Sequence, residues 1–197
     1  MALKPGKFIV IYGINNLGKT TQAKILVEKL KREGYKAEYL KYPIYDLEPS
    51  GPIINNYLRS NNPYNLTPRE VQIIYTMNRY QFEPQLKEKL AEGINIVAED
   101  YTGTGLAWGI GADVEENFLK QINSQLLKED LSILLYGERF KKSIENGHHH
   151  EENEELTEKV REAHKKLAAE FNWKRINANQ TLEEISEQIW LEVKKII

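Results

Sequence analysis

Near the start of the chain stands Phe8-Ile-Val-Ile-Tyr12, followed at once by Gly13-Ile-Asn-Asn-Leu-Gly-Lys-Thr20. The first segment is a continuous apolar run rich in β-branched residues, which is typical of a strand that is covered on both faces. The second matches the pattern G-x-x-x-x-G-K-[ST] in full, and a helical pattern over 20–33 follows it. The order strand, glycine-rich loop and helix is the context in which this pattern binds phosphate, so it predicts a nucleotide-binding P-loop.

The chemistry of such a loop follows from its residue types. Glycines let the backbone wrap around phosphate oxygens, and amide N–H groups at the helix start point at the anion. The pattern assigns Lys19 to the β- and γ-phosphates of ATP and Thr20 to Mg²⁺. The predicted donor-binding residues are Gly13, Asn15, Asn16, Leu17, Gly18, Lys19, Thr20 and Thr21. The alternative is a helix start that binds no ligand.

The rest of the chain alternates strand and helix patterns. Helical patterns separate further apolar runs, which are predicted as strands at 37–42, 94–98, 131–136 and 173–176. Right-handed crossovers then make the strands parallel and place helices on both faces. The predicted fold is α/β, a three-layer α/β/α P-loop NTPase with a five-stranded parallel sheet and a short helical lid. Thr67-Pro-Arg-Glu70 predicts the start of a helix that runs to about Ala91, whereas the glycine-rich segment 102–111 is predicted as a loop.

Length and composition limit the possibilities further. The chain has 197 residues, a formal charge of −2 and no cysteine. At roughly 150 residues per domain, this predicts a single domain over 1–197, with a lid segment at about 137–155. The lack of cysteine excludes disulfides, thiolate nucleophiles and cysteine-based zinc sites. The near-neutral charge argues against a general nucleic-acid binder. Only seven of the 27 basic residues are arginines, so any arginine-based phosphate binding must rely on few of them.

Neither targeting nor membrane signals are found. Residues 1–7 are polar, and no apolar run approaches the roughly 20 residues that a membrane span needs. We therefore expect a cytoplasmic protein without a membrane or nucleic-acid partner. The motif Asn-Lys-x-Asp, with which GTPases recognise their base, does not occur, and this favours a small-molecule kinase.

Several stretches, in order, resemble the thymidylate kinase family. Thr20-Thr-Gln22 follows the P-loop as in family members, and Tyr42-Pro43 stands where the family has Phe-Pro. Ile73-Ile-Tyr-Thr-Met-Asn-Arg-Tyr80 is similar to the family's Leu-Leu-Phe-x-Ala-Asn-Arg helix. Glu99-Asp-Tyr-Thr-Gly-Thr-Gly-Leu-Ala-Trp108 lies without gaps on its Asp-Arg-Tyr-x-x-Ser-x-x-Ala-Tyr segment. The resemblance covers most of the chain from Phe8 onward. It implies a homodimeric enzyme that phosphorylates dTMP to dTDP with ATP and Mg²⁺.

The resemblance also implies roles in the acceptor site. Arg79 is expected to bind the acceptor monophosphate, and Tyr75, one helical turn earlier, to stack on the base. Thr104 stands where the family has a Ser or Thr near the base, and Trp108 replaces an aromatic residue close to the sugar. The alternative is that Tyr75 and Trp108 are core aromatic residues and that Arg79 forms a surface ion pair.

Charged residues elsewhere supply further candidates. Glu99 stands at the end of a strand, where it could hold Mg²⁺ through water, orient the acceptor or simply cap a loop. In the lid segment, Arg139 and Lys142 are candidates to close over ATP as catalytic residues, unless this segment is a solvated charged helix. His148-His-His150 resembles a fortuitous tag-like run, and we expect no physiological metal there.

Four positions depart from the family's pattern. Asp100 and Tyr45 stand in place of arginines, Asn15 in place of an acidic residue that contacts the sugar, and Asn16 in place of an arginine that some members use. The change at Asp100 matters most, because a unit charge pair at ~4 Å is worth about 4 kcal/mol at an effective dielectric near 20. Either Asp100 points away from the acceptor phosphate or the acceptor site differs from that of ordinary members.

The leading hypothesis is therefore Mg²⁺- and ATP-dependent phosphorylation of a nucleoside monophosphate, with dTMP favoured as the acceptor. A second hypothesis is a diverged P-loop kinase for another deoxynucleotide or a nucleoside, which Asp100 and Tyr45 motivate. A third is a weakly catalytic nucleotide-binding paralogue that acts through a partner.

Overall fold

A five-stranded parallel sheet organises the computed structural model, which describes residues 4–139 and 154–197. The strands are β1 (Phe8–Tyr12), β2 (Ala37–Lys41), β3 (Asn95–Glu99), β4 (Leu131–Tyr136) and β5 (Lys174–Asn177). Their spatial order is β2-β3-β1-β4-β5, so β1 lies in the centre. Every residue of β1 is buried, as its unbroken apolar run predicts.

Helices flank this sheet and confirm the predicted α/β fold. The described helices are α1 (Lys19–Arg32), α2 (Ser50–Arg59), α3 (Pro68–Ala91), α4 (Thr102–Gly111), α5 (Glu116–Asn123), α6 (Glu154–Glu170) and α7 (Leu182–Val193). These helices form two groups. In one group α1 packs against α7, and in the other α4 packs against α3, α5 and α6. Large apolar side chains from the sheet and both groups form one continuous core.

The long helix α3 begins as its sequence predicts. Thr67 Oγ1 accepts a hydrogen bond from the backbone N–H of Glu70 at 3.2 Å, and Glu70 Oε2 accepts one from the N–H of Thr67 at 2.8 Å. This reciprocal capping box satisfies donors that have no partner within the helix. The helix continues past Pro84 to Ala91.

The expectation for segment 102–111 is wrong, because this segment is helix α4 rather than a loop. Its glycines allow close packing that overrides their low helix propensity. A Cβ at Gly103 would lie 2.4 Å from the Trp173 ring, and one at Gly109 would lie 2.6 Å from Leu119. Glycine at these positions therefore lets α4 approach its neighbours, and tertiary packing decides the local structure.

Strand register brings the predicted site segments to one edge of the sheet. Ile11 of β1 pairs with Glu99 of β3, and Tyr12 pairs with Leu134 of β4. The phosphate loop after β1 and the residues after β3 therefore leave the sheet side by side. The chain leaves β1 toward β2 on one side of the sheet and leaves β3 toward β4 on the other side. A crevice opens at the carboxyl edge where the direction changes, and ligands bind there in open α/β sheets.

Two further expectations concern the lid segment and membrane spans. Most of the predicted lid segment, with Lys142 and His148–His150, lies outside the described residues. Within 4–139 and 154–197, no helix combines the length and apolar character that crossing a membrane requires.

The capping box of α3 yields a stability prediction. Thr67→Ala removes the side-chain acceptor for the Glu70 N–H, so we expect a loss of about 1 kcal/mol and a melting temperature about 2–4 °C lower. Thr67→Ser keeps the oxygen and serves as the matched control. Calorimetric unfolding of the three proteins checks this, and equal melting temperatures for Thr67→Ala and the wild type would contradict it.

Candidate active site

A cleft of about 530 Å³ opens at the carboxyl edge of the sheet. The phosphate loop forms one side of it, and α3 and α4 contribute to the other. Residues predicted for the donor and acceptor sites line it together: Asn15, Asn16, Leu17, Gly18, Lys19, Thr20, Thr21, Tyr45, Tyr75, Arg79, Glu99, Asp100, Thr104 and Trp108. Segments separated by up to about 90 residues in sequence thus meet in one cavity.

The phosphate loop has the backbone geometry that its glycines allow. Gly18, at φ 80°, adopts the left-handed conformation immediately before α1. A Cβ at Gly13 would lie 2.6 Å from the carbonyl oxygen of Leu135, so only glycine fits against β4 there. The Lys19 ammonium is buried and donates hydrogen bonds to the carbonyls of Gly13 at 2.9 Å and Ile14 at 3.0 Å. The loop therefore holds a lysine at a helix N-terminus, where an anion is favoured.

Glu99, the last residue of β3, connects the loop to the neighbouring strands. Its Oε2 atom accepts hydrogen bonds from Thr20 Oγ1 and from the Tyr39 hydroxyl, each at 2.6 Å. Its Oε1 atom forms an ion pair with Lys41 Nζ at 3.1 Å. Three side chains, two from β2 and one from the start of α1, are thus fixed around one carboxylate at the end of β3.

Electrostatics keep this carboxylate ionised. Burial alone would raise the pKa of Glu99, but the Lys19 and Lys41 ammonium groups and the two hydroxyl donors lower the pKa below its usual value. An ionised carboxylate beside the Thr20 hydroxyl supplies the hard oxygen donors that Mg²⁺ prefers. The residue types and positions at this place therefore fit a magnesium ion.

Asp100 faces the phosphate loop. The residue adopts a left-handed backbone conformation with φ 64°. Its Oδ1 atom accepts a hydrogen bond from Thr104 Oγ1 at 2.7 Å and lies 3.7 Å from Lys19 Nζ. Burial raises the pKa of this carboxyl, an effect that Lys19 reduces and that Glu99 increases. The negative charge of Asp100 is therefore partly offset by Lys19.

Arg79 lies deep in the cleft and does not form a surface ion pair, so that alternative is wrong. It is 4% exposed, and its Nη1 donates to Asn123 Oδ1 at 2.9 Å. A Cβ at Gly105 would lie 2.4 Å from Nη2, so the guanidinium packs directly on the backbone of α4. Burial lowers the pKa of Arg79, while the surrounding phenols raise it: Tyr101, Tyr12, Tyr42 and Tyr75.

Aromatic side chains line the acceptor half of the cleft. Tyr75, one turn before Arg79 on α3, is half-buried, and burial raises the pKa of its phenol. Trp108 is 7% exposed and belongs to the hydrophobic core while also lining the cleft, and its place beside the sugar stays a prediction. Tyr45 lies beneath the Arg59 guanidinium, whose carbon is 4.9 Å from the ring centre.

Sequence reasoning missed several residues of the site. Lys41, Tyr39 and Arg59 were not singled out, although Lys41 and Arg59 line the cleft and Tyr39 holds Glu99. A signal for Lys41 existed, because it ends a parallel strand immediately before Tyr42-Pro43 and therefore lies at the carboxyl edge. Tyr39 and Arg59 carry no comparable local signal.

Asn78 holds the segment after β2 in place, a role that its motif alone does not indicate. Its Oδ1 atom accepts from the Ile44 N–H at 2.8 Å, and its Nδ2 donates to the Ile44 carbonyl at 2.9 Å and to Ser50 Oγ at 2.8 Å. These bonds tie α3 to the segment after β2. The amide therefore fixes the backbone that carries Tyr45.

Of the predicted lid residues, the structure describes only Arg139. It follows β4 and is not among the described residues that line the cleft. Its assignment to the ATP phosphates, like that of Lys142, stays a prediction.

The parallel sheet, with the phosphate loop leaving its central strand, defines a P-loop NTPase. The family model for thymidylate kinase matches residues 11–189 of this chain. The chain belongs to the thymidylate kinase family and is a nucleoside monophosphate kinase that uses ATP as its phosphate donor. No finding favours a different acceptor or a weakly catalytic paralogue.

Individual relatives agree over nearly the whole chain. Thymidylate kinase of Plasmodium falciparum is 30% identical over 98% of this chain and 92% of its own length. The Homo sapiens thymidylate kinase is 29% identical over 96% and 90%, respectively. The solved structure of thymidylate kinase from Candida albicans superposes with a TM-score of 0.80, covers 97% of this chain and 92% of its own, and is 21% identical. This structural likeness supports the fold.

The contact between Gly105 and Arg79 yields a prediction. Gly105→Ala places a methyl group against Nη2 and must displace the guanidinium, so we expect dTMP to bind roughly tenfold more weakly, about one charge-assisted hydrogen bond. Gly109→Ala is the matched control, because the same substitution one turn later on α4 meets Leu119. We expect Gly109→Ala to lower stability but to leave dTMP affinity within twofold.

Calorimetric titration with dTMP and thermal unfolding of both variants separate the two effects. Unchanged dTMP affinity in a folded Gly105→Ala protein would show that the position of Arg79 does not matter for the acceptor.

The raised pKa of Asp100 yields a prediction of pH dependence. A carboxyl whose folded pKa lies above its ordinary value of 3.8 binds protons more tightly in the folded state, so its ionisation lowers stability as pH rises through the raised pKa. Asp100→Asn removes that ionisation and keeps an oxygen for Thr104. We expect the variant to melt higher than the wild type at pH 8, with the difference shrinking toward pH 4. A difference that grows on acidification would contradict the assignment.

Proposed function

We propose that the protein transfers the γ-phosphoryl group of ATP to the phosphate of dTMP by direct in-line displacement, forming dTDP and ADP without a covalent enzyme intermediate. The observation that carries this proposal is that the phosphate loop and the acceptor residues Tyr75 and Arg79 line one continuous cleft. Phosphoryl transfer between two bound nucleotides needs positioning and charge neutralisation more than covalent chemistry. A single cleft with a donor half and an acceptor half supplies both.

On the donor side, the amides of 13–20 and the Lys19 ammonium bind the ATP phosphates. Lys19 already lies within the loop, with hydrogen bonds to loop carbonyls that phosphate oxygens can replace. Thr20 and Glu99 hold Mg²⁺, whose charge neutralises phosphate oxygens when it is bound. Tyr39 and Lys41 orient the Glu99 carboxylate through its two oxygens.

On the acceptor side, Tyr75 stacks on the thymine base, and Trp108 and Thr104 lie near the sugar and base. Arg79 faces phenols, whereas the charged groups that face Asp100 are Lys19, Glu99 and Lys41. We therefore place Arg79 at the nucleoside end of the acceptor, where its N–H groups suit base carbonyl oxygens. This differs from the phosphate contact that the family resemblance implied for Arg79.

The roles of the lid residues are proposed from their position in the chain. Arg139 follows β4, which pairs directly with β1, so it and Lys142 are the candidates to reach the ATP phosphates from the lid.

Exposed Ile73 and Tyr80, seven residues apart on α3, give that helix an apolar outer face that suits a homodimer contact. We further propose a single domain and a cytoplasmic location, which the cysteine-free sequence permits.

A coupled assay of ADP release tests the proposal with ATP and Mg²⁺ as co-substrates. We expect dTMP to be phosphorylated in preference to dUMP, dCMP, dAMP, dGMP and thymidine. Lys19→Met removes the ammonium from the donor phosphates and should lower kcat at least about 100-fold. Lys31→Met, at the exposed far end of α1, should leave kcat within twofold.

The absence of turnover with any monophosphate, in a folded protein that binds ATP, would contradict the proposed activity. Turnover of another monophosphate in clear preference to dTMP would contradict the acceptor assignment.

A further inference from the structure

Both cationic side chains and carboxylates line the cleft. Within the described residues, the charged side chains that line it are Lys19, Lys41, Arg59, Arg79, Glu99 and Asp100. Positions 45 and 100 at this end carry a tyrosine and an aspartate, neither of which is a cation. A monophosphate dianion placed between the phosphate loop and α4 therefore meets two carboxylates and needs a cation from elsewhere.

Most of the cations in the cleft are engaged in other contacts. Lys19 donates to the loop carbonyls and lies beside Asp100, in the position that serves the donor phosphates. Arg79 donates to Asn123 and is surrounded by phenols. Arg59 stacks over the Tyr45 ring and donates to Asn55 on its own helix at 3.2 Å.

Lys41 has the position and the freedom that a phosphate ligand requires. It ends β2 and pairs in register with Glu99, so its side chain starts at the carboxyl edge, between the phosphate loop and Tyr45. Its side chain is 47% exposed, and within the described residues it forms one ion pair, the 3.1 Å contact with Glu99. Water can reach the ammonium end of this pair, so the ammonium can turn to a second anion while the buried Glu99 carboxylate keeps its hydrogen bonds from Thr20 and Tyr39.

Carboxylates and a phenol surround Lys41. The charged and titratable groups that face it are Glu99, Asp100 and Tyr45. A flexible ammonium at this place can contact a phosphate oxygen without the fixed fork geometry of an arginine.

We infer that Lys41 binds the phosphate group of the acceptor nucleotide and supplies the positive charge that Tyr45 and Asp100 cannot. This inference rests on the proposed function and adds a specificity-determining residue to it. The acceptor phosphate lies on the β2 side of the cleft, bound by a lysine from the strand end, while Asp100 stays paired with Lys19 on the other side.

Equilibrium binding without ATP isolates this contact from the chemical step. Calorimetric titrations compare dTMP with thymidine, which lacks the phosphate, for the wild type, Lys41→Met, Lys41→Arg and the control Lys31→Met, which removes an exposed ammonium at the far end of α1. A charge-assisted hydrogen bond is worth about 1.5–3 kcal/mol, so Lys41→Met should bind dTMP roughly 10- to 100-fold more weakly. Thymidine affinity should change less than twofold. Lys41→Arg should retain most of the dTMP affinity, and Lys31→Met should match the wild type.

The outcomes distinguish this inference from the proposed function. If the wild type phosphorylates dTMP but Lys41→Met binds dTMP as tightly as the wild type, the role of Lys41 is overturned and the proposed function stands. Equal weakening of dTMP and thymidine also overturns it, because Lys41 would then shape the cleft rather than bind phosphate. A wild type that binds ATP but neither binds nor phosphorylates dTMP overturns both.

Discussion

The hydrogen bond from Thr20 Oγ1 to Glu99 Oε2, 2.6 Å long, joins the start of α1 to the end of β3. It spans the two strand ends between which the cleft opens, and it sets the phosphate loop at a fixed distance from the carboxylate and from Asp100 beside it. Tyr39 and Lys41 complete the attachment from β2. The donor half of the site depends on this connection, because it joins the loop side chain Thr20 to β3 and, through Glu99, to β2.

The acceptor half depends on how closely α3 and α4 approach. Gly105 lets the Arg79 guanidinium lie directly on the α4 backbone, and Asn123 holds the other side of that group. On the same helix α3, Asn78 bonds the segment after β2 and so fixes Tyr45. One helix thus positions both the deep arginine and the loop that borders the phosphate region, which explains why its sequence carries an Asn-Arg pair.

The departures from the family's arginine pattern have a physical consequence at one end of the cleft. Asp100 lies beside Lys19 instead of facing an open phosphate position, so the repulsion expected from its charge is reduced. Tyr45 supports Arg59 through its ring. Positive charge at this end of the cleft comes from Lys41 of β2 and Arg59 of α2, and lysines and hydroxyls lower the pKa of Glu99.

The sequence by itself determined the class of fold, the phosphate loop and the start of α3, because each depends on a local pattern: an unbroken apolar strand, glycines before Gly-Lys-Thr, and a capping box. It also indicated most residues of the cleft through family motifs. Only the tertiary structure decided that 102–111 is a helix, that Arg79 is buried among phenols, and that Tyr39, Lys41 and Arg59 join the site. These features arise from contacts between residues far apart in sequence, such as Lys41 with Glu99, and no local pattern of residues encodes them.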